Sequence, residues 1–272
     1  MPDSTIALGC KNFTEQYILM HLLAQRIEGA TGLSVNLKEL GGTMICHTAL
    51  VRGDIDGYVE YTGTSLLTIF GHETNTDPQA VLEQVQKDYA SQHQVTSLPP
   101  LGFANSYAIA VRGKDAGDHG WEKVSDLAGK AAGLKGGFTS EFHERADGYP
   151  KLKELYGIEF GETVDLDPGA MYDALSRGHV DLICAFTTDA RIKKYGLVVL
   201  DDDKRLWPPY DAVALLREAT LKQHPEIREA LEPLLGLLTV ETMTALNYEV
   251  DIEGKDPAEV AGAFLKKHGL GG

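Results

Sequence analysis

The chain has few of the features that usually mark an enzyme or a membrane protein. It contains no GxSxG, no P-loop and no GxGxxG between a strand and a helix, and its nine histidines form no HExxH pair. No run approaches the roughly 20 apolar residues of a membrane span. These absences favour a protein that is not an enzyme and that needs neither a cofactor nor a metal ion.

Cysteine and basic side chains are also scarce. Cys10, Cys46 and Cys184 are odd in number and widely spaced, so we expect buried free thiols and no disulfide framework. Only 25 Lys and Arg stand against 40 Asp and Glu, and the net charge of −15 disfavours nucleic acid and anionic membranes as partners. The acidic turn at 201–203 lacks the spacing of a calcium loop and is interpreted as solvated.

The first residues, MPDSTIALG, lack the basic and then apolar pattern of a signal peptide. They predict either a cytoplasmic protein or a mature extracytoplasmic chain that starts after processing.

The hydrophobic pattern predicts an α/β fold. In the first half, strands alternate with helices, which is typical of a largely parallel sheet. The predicted strands cover 6–8, 33–40 and 55–59, and the predicted helices cover 13–30, 41–51, 65–70 and 78–93. Asn12 and Glu15 form a capping-box pattern at the start of the first long helix.

After a strand at 101–112 and a polar connection at 113–120, the pattern starts again. The second set of predicted strands covers 131–134, 158–166, 180–185 and 197–200, and the predicted helices cover 139–156 and 169–177. The remainder from 222 is predicted to be helical, and Asp256 followed by Pro257 is a strong helix start.

Two internal echoes indicate two similarly built halves. ALVRGDIDGYVEYTGT at 49–64 returns as ALSRGHVDLICAFTTD at 174–189, and Tyr61 stands as far from Phe186 as Phe13 does from Phe138, 125 positions. A second echo relates the strand after Tyr107 to the strand after Tyr210. We interpret these two strands as crossings between lobes, so that 1–106 and 212–272 form the first lobe and 107–211 the second.

A two-lobed α/β protein binds its ligand at the carboxyl ends of the strands, in the crevice between the lobes. The residues predicted to meet there are Lys11, Tyr61, Thr64, Asn105, Tyr107, Arg145, Phe186 and Tyr210. Four aromatic faces suit a quaternary ammonium, and two cations suit an anionic group, which Arg145 could bind in bidentate fashion. The residues alone leave open the alternative that the aromatics are core.

Six segments resemble a known family. They are GCKNFTEQYI, LGGTMICHTALVRGDIDGYVEYTGT, FANSYAIAVR, EFHERADGYPKL, AFTTDARI and DDDKRLWPPYDAVALLR. The chain resembles substrate-binding proteins of the OpuC/ProX/OsmF type, which serve ABC importers of glycine betaine, choline, carnitine and related compatible solutes. The resemblance implies a type II periplasmic-binding-protein fold, a cage of four tyrosines, and lobe closure on the ligand.

Transferred by motif, the cage falls on Tyr61, Tyr107, Tyr210 and Phe186, and the carboxylate contacts fall on Lys11, Thr64 and Arg145. Two positions depart from the family's pattern. Phe186 lacks the tyrosine hydroxyl, and Asn105 replaces an aspartate found in several betaine binders, so the preferred solute can differ.

The resemblance also implies an extracytoplasmic location, as a periplasmic protein, a lipoprotein or a permease-fused domain, with an ABC permease as partner and a monomeric state. The alternatives are a receptor for another trimethylammonium compound such as ergothioneine, a receptor for a non-quaternary amine or amino acid, and a cytoplasmic sensor or enzyme on the same fold.

Overall fold

The fold is built on two five-stranded sheets. A computed structural model describes residues 5–271. The strands are β1 Thr5–Lys11, β2 Ser34–Gly41, β3 Gly57–Tyr61, β4 Val95–Ala104, β5 Tyr107–Arg112, β6 Lys135–Phe138, β7 Glu162–Asp165, β8 Leu182–Phe186, β9 Leu197–Val199 and β10 Asp211–Arg217.

Thirteen α-helical segments lie among residues 5–271. They are α1 Thr14–Thr31, α2 Thr43–Arg52, α3 Thr62–Thr64, α4 Pro78–Asp88, α5 Gly113–His119, α6 Ser140–Glu144, α7 Tyr149–Tyr156, α8 Ala170–Ser176, α9 Arg191–Lys194, α10 Glu218–Gln223, α11 Glu226–Leu231, α12 Val240–Asp251 and α13 Pro257–Lys267. Short 3₁₀ turns cover Val124–Leu127, Ala131–Gly133 and Glu232–Leu234, and π-helical turns cover Ser65–Ile69 and Tyr89–His93.

The two sheets have the same strand order and the same directions. The first runs β2-β1-β3-β10-β4 and the second β7-β6-β8-β5-β9. In each sheet the first three strands in this order are parallel to one another, and the fourth strand is antiparallel to both of its neighbours. The α/β prediction and the two matching halves are therefore confirmed, and β5 and β10, which the second echo related, occupy equivalent places.

The predicted strand at 101–112 is two strands that belong to different sheets. β4 pairs with β10 in the first sheet, whereas β5 pairs with β8 and β9 in the second. The chain crosses at Asn105 and Ser106, and the Asn105 N–H donates to the Tyr210 carbonyl at 3.1 Å, which joins the two crossings. The hydrophobic pattern does not reveal the change of sheet, because both strands are buried and the pattern continues from one into the other.

The strands of the first sheet lie within 5–104 and 211–217, and those of the second within 107–199. The lobe boundaries at 106/107 and 211/212 stay a prediction, and their outer ends at 1 and 272 lie outside the described residues.

Two further predictions in the second half were wrong. The helix expected over 139–156 is broken into α6 and α7, because Pro150 has no N–H to donate and its ring excludes the preceding helical turn. The strand expected at 131–134 lies at 135–138 instead. There Gly136 and Gly137 leave room for close neighbours, since a Cβ on Gly136 would stand 2.7 Å from the Phe138 ring.

The predictions of a capping box at the start of the first helix and of a polar connection at 113–120 were also wrong. α1 begins after Phe13 with no side-chain cap, and Glu15 turns into the protein interior. Residues 113–119 form α5, which ends at Gly120 in the left-handed region and holds a Lys114–Asp118 ion pair at 2.5 Å. The predicted start of the last helix is confirmed, because the Asp256 side chain accepts from the N–H groups of Ala258 and Glu259.

The three cysteines are free and buried, as predicted. Two of the three carboxylates of the acidic turn have protein partners: Asp202 accepts from the Tyr156 hydroxyl at 2.5 Å, and Asp203 accepts from the Ser125 hydroxyl at 2.7 Å. Within residues 5–271 no cluster of three potential metal ligands occurs. Over the same range, every helix is too short or too polar to cross a bilayer.

Candidate functional site

All eight residues singled out from the sequence line one cavity between the two sheets. The space between them measures about 680 Å³, including solvent at its mouth. Lys11 ends β1, Tyr61 ends β3 and Phe186 ends β8, so these residues share the carboxyl edges of the parallel strands. The topology therefore brings both halves of the predicted set to the same place.

The aromatic rings form a continuous wall that includes one residue missing from the prediction. Phe13 stacks on Phe186 at 5.2 Å between ring centroids, with 6° between the ring planes. It also stacks on Tyr61 at 6.5 Å, and Phe186 stacks on Tyr107 at 5.5 Å. Phe13 was visible in the 125-residue echo. Its counterpart, Phe138, is fully buried, whereas Phe13 is partly exposed in the cavity.

The Tyr61 hydroxyl donates to a buried carboxylate behind the wall. Its partner is Glu15 Oε1 at 2.5 Å, and the Asn105 amide donates to the same oxygen at 2.9 Å. Glu15 is 2% exposed, and burial raises the pKa of its carboxyl group, although the hydrogen bonds it accepts act in the opposite direction. Burial and the Glu15 charge raise the pKa of Tyr61, so its hydroxyl stays protonated and donates.

Tyr210 makes the equivalent contact on the other side of the cavity. Its hydroxyl donates to Asp147 Oδ2 at 2.5 Å. Arg145 binds the same carboxylate in bidentate fashion, with Nε at 2.8 Å and Nη2 at 2.6 Å. Burial alone would raise the pKa of Asp147, but the Arg145 charge and the hydrogen bonds from Arg145 and Tyr210 lower it.

This pairing corrects the expectation that Arg145 offers its bidentate edge to an anionic ligand. The edge formed by Nε and Nη2 is taken by Asp147, because a buried guanidinium needs a counter-charge. Nη2 also donates to the Thr64 hydroxyl at 3.0 Å, and Nη1 donates to the Thr43 hydroxyl at 3.3 Å. Nη1 also lies 3.9 Å from Glu141 Oε2, so a second carboxylate faces the guanidinium.

Lys11 is likewise paired inside the protein. Its ammonium contacts Glu60 Oε1 at 2.5 Å, donates to the Thr43 hydroxyl at 3.0 Å and lies 5.4 Å from the centroid of the Tyr61 ring. The Thr43 hydroxyl therefore joins Lys11 to Arg145. The backbone N–H of Thr43 donates to Glu141 Oε1 at 2.5 Å, which brings a carboxylate of the second lobe to the start of α2.

Several of these contacts join elements of the two sheets. Thr188, two residues after β8, donates to Glu15 Oε2 at 2.6 Å, and the Asn247 amide of α12 donates to the Thr188 carbonyl at 3.1 Å. Arg191 forms an ion pair with Asp251 of α12 at 2.5 Å. The two halves are thus held together on both sides of the cavity.

Sequence reasoning missed the carboxylates. Glu15 was interpreted as a capping residue, and Glu60, Asp147 and Glu141 were not considered. A usable signal was present for two of them: Glu60 stands between apolar residues of a buried strand, and Asp147 follows Arg145 by two positions. Charged residues in such places need partners.

Comparisons with known proteins agree with this architecture. A family described as the substrate binding domain of ABC-type glycine betaine transport systems matches residues 4–267. The carnitine transport binding protein OpuCC of Listeria monocytogenes is 37% identical over 97% of this chain and 87% of its own length. The ergothioneine transport permease/binding protein EgtU of Helicobacter pylori is 34% identical over 98% of this chain and 48% of its own length.

A crystal structure of a glycine betaine/carnitine/choline ABC transporter protein has the same fold. It superposes with a TM-score of 0.79 at 36% identity, over 97% of this chain and 99% of that one. The predicted type II binding-protein fold is therefore confirmed. Membership of a family of binding domains also confirms that the chain is not an enzyme. The chain belongs to the family of substrate binding domains of ABC-type glycine betaine transport systems.

Proposed function

We propose that the protein captures a quaternary-ammonium solute in the cavity between its lobes and presents it to an ABC permease. The observation that supports this most directly is the convergence of Tyr61, Tyr107, Phe186 and Tyr210 with two buried cations around one cavity. Aromatic faces attract a cation that cannot form hydrogen bonds, and desolvation strengthens this attraction. The relatives named for carnitine and ergothioneine transport handle ligands of this kind.

The two ends of the ligand take different parts of the cavity. The trimethylammonium group contacts the rings, and Phe13, which lines the same cavity, adds a fifth aromatic residue to the four expected. An anionic or hydroxyl end contacts Lys11, Thr64 and Arg145. Because Lys11 and Arg145 are already neutralised by Glu60 and Asp147, this end is a hydrogen-bonding site with little net positive charge.

This balance bears on the choice of solute. A strongly positive site would demand a carboxylate, as in glycine betaine or carnitine. A neutralised site also accepts the hydroxyl of choline, because hydroxyl and carboxylate oxygens both accept hydrogen bonds from Lys11 and Arg145. Glycine betaine, choline, carnitine and ergothioneine are therefore all candidates.

Lobe closure is the proposed means of capture. Glu15 with Thr188, Thr43 with Glu141, and Arg191 with Asp251 each bring together residues of different lobes. A ligand that contacts both walls favours the form in which these contacts are made. We place the protein outside the cytoplasm, free, lipid-anchored or fused to its permease, and acting as a monomer.

A thermal-shift screen tests the proposal. Betaine, choline, carnitine, proline betaine and ergothioneine are each added to the protein, and the true ligand raises the melting temperature because it binds only the folded form. The Tyr210→Ala variant is the control for the site: it removes both the ring and the hydroxyl, so it should reduce that shift and weaken binding by about 1–2 kcal/mol or more in calorimetry. Absence of any shift across the five solutes would contradict the proposal.

A further inference from the structure

Glu15 differs from the other buried carboxylates around the cavity. Glu60 is paired with Lys11, and Asp147 is paired with Arg145. None of the ion pairs formed by residues 5–271 involves Glu15.

The partners of Glu15 in the described chain are neutral donors from four separate elements. The Tyr61 hydroxyl and the Asn105 amide bond to Oε1, and the Thr188 hydroxyl and the Asn247 amide bond to Oε2, at 2.5, 2.9, 2.6 and 3.3 Å respectively. Four donors stabilise a carboxylate in the interior, but they do not neutralise its charge. A buried charge without a partner of opposite sign is costly.

The position of Glu15 relative to the ligand is fixed by Tyr61. The carboxylate accepts a hydrogen bond from the hydroxyl of Tyr61, and the same residue lines the cavity. A cation within about 6 Å of the ring centroid is in contact with Tyr61, and the carboxylate of Glu15 is hydrogen-bonded to the hydroxyl of that same residue. The hydrogen bond also draws the hydroxyl proton toward Glu15, which leaves the ring more electron-rich.

Asn105 supports the same assignment. The residue lines the cavity and donates its amide to Glu15. A carboxylate at position 105 would face the carboxylate of Glu15 across this contact, and two like charges at that distance do not coexist. The amide at 105 instead donates a hydrogen bond to Glu15 and adds no second negative charge beside it.

We infer that Glu15 is the counter-charge for the cation held in the aromatic cavity, and that it determines the preference of this protein for a charged over an uncharged ligand of the same shape. The inference rests on the proposed function, since it concerns the same cavity. It goes beyond that function by assigning the selection for charge to a residue that does not touch the ligand and acts through Tyr61 and Asn105.

The test compares choline with 3,3-dimethyl-1-butanol, in which carbon replaces the charged nitrogen. The ratio of their affinities measures what the positive charge contributes, and shape effects cancel. In the Glu15→Gln variant we expect this ratio to fall about tenfold or more, because a unit charge at this range acts through a medium of low effective dielectric constant. In Glu15→Asp, which keeps the charge, the ratio should be largely retained.

Gln16→Met is the matched control. The Gln16 amide donates to the Tyr61 hydroxyl at 3.2 Å, so the variant perturbs the same ring without removing the charge or any of the four donors from Glu15, and it should leave the ratio unchanged. If Glu15→Gln does not fold, as judged by its thermal transition, Glu15→Met replaces it, since methionine has a similar volume and brings no amide hydrogens that need partners.

A ratio that stays at the wild-type value in the neutral variants would overturn the inference, because it would show that Glu15 only supports the wall. The failure of the proposed function is a separate result: the wild-type protein would then bind neither choline nor any of the other solutes in the thermal-shift screen.

Discussion

The three cage tyrosines should respond differently to the loss of their hydroxyl groups. Tyr61 and Tyr210 each donate to a buried carboxylate at 2.5 Å, whereas the Tyr107 hydroxyl makes no hydrogen bond within the part of the chain that the structure describes. A hydrogen bond to a charged group contributes about 1.5–3 kcal/mol. We therefore expect Tyr→Phe to be costly at 61 and 210 and nearly neutral at 107.

The location of each bond predicts which measurement reports the loss. Tyr61 and Glu15 both belong to elements of the first sheet and its helices, so Tyr61→Phe should lower the free energy of unfolding of the ligand-free protein by about 1.5–3 kcal/mol. Tyr210 donates to Asp147, which also holds Arg145, and Arg145 in turn donates to Thr64 of the predicted first lobe across the cavity. Tyr210→Phe should accordingly weaken ligand binding about 10- to 100-fold, since each 1.4 kcal/mol is a factor of ten.

Urea unfolding and calorimetry of the best ligand from the screen provide the two readouts. Tyr107→Phe is the matched control, because it removes the same atom from the same cavity without detaching a carboxylate, and it should stay within about threefold of the wild-type affinity. Equal effects for all three variants would refute the reasoning, because the rings alone would then account for the role of the tyrosines.

Two further predictions concern buried charge. Asp147→Asn leaves the Arg145 guanidinium without its partner and should lower the free energy of unfolding, measured in urea, by about 3–5 kcal/mol. The control Asp201→Asn, in an exposed turn, should change this free energy little. Similar values for the two variants would contradict the ion-pair argument. Burial, and secondarily His93, lowers the pKa of His47 to about 4. The neutral imidazole therefore contributes stability above the unfolded pKa of about 6.5, and this contribution should be lost as the pH falls from about 6.5 to 4. The loss in the free energy of unfolding should be at most about 3 kcal/mol. His47→Gln should flatten that part of the curve of melting temperature against pH, and parallel curves would count against it.

Much of the architecture could be predicted because it follows from local patterns in the sequence. The echo at 125 positions corresponds to two sheets with identical strand order, and three of its four aromatics, Phe13, Tyr61 and Phe186, line one cavity. Hydrophobic periodicity identifies buried strands, and strand ends of a parallel sheet converge whatever the details of packing. The grouping of the eight predicted residues followed from topology alone.

The errors arose where tertiary contacts override local preference. Glu15 has the sequence context of a capping residue, yet four donors distant in sequence hold it in the interior. The strand at 101–112 looks continuous, although its two parts pair with different sheets. The helix break near Pro150 is the exception, because a proline in the sequence is itself a signal that a helix is interrupted.

The two crossings have a consequence for the kinetics of the ligand. Tyr107 is the first residue after one crossing and Tyr210 the last residue of the other, and the hydrogen bond from Asn105 to the Tyr210 carbonyl joins them. In the proposed lobe closure these crossings are the pivot, so that rotation of the lobes changes the angle between the rings of these two cavity residues. We expect the dissociation rate of the solute to follow the opening rate of this pivot, and substitutions that loosen it to shorten residence time even when they touch no ligand atom.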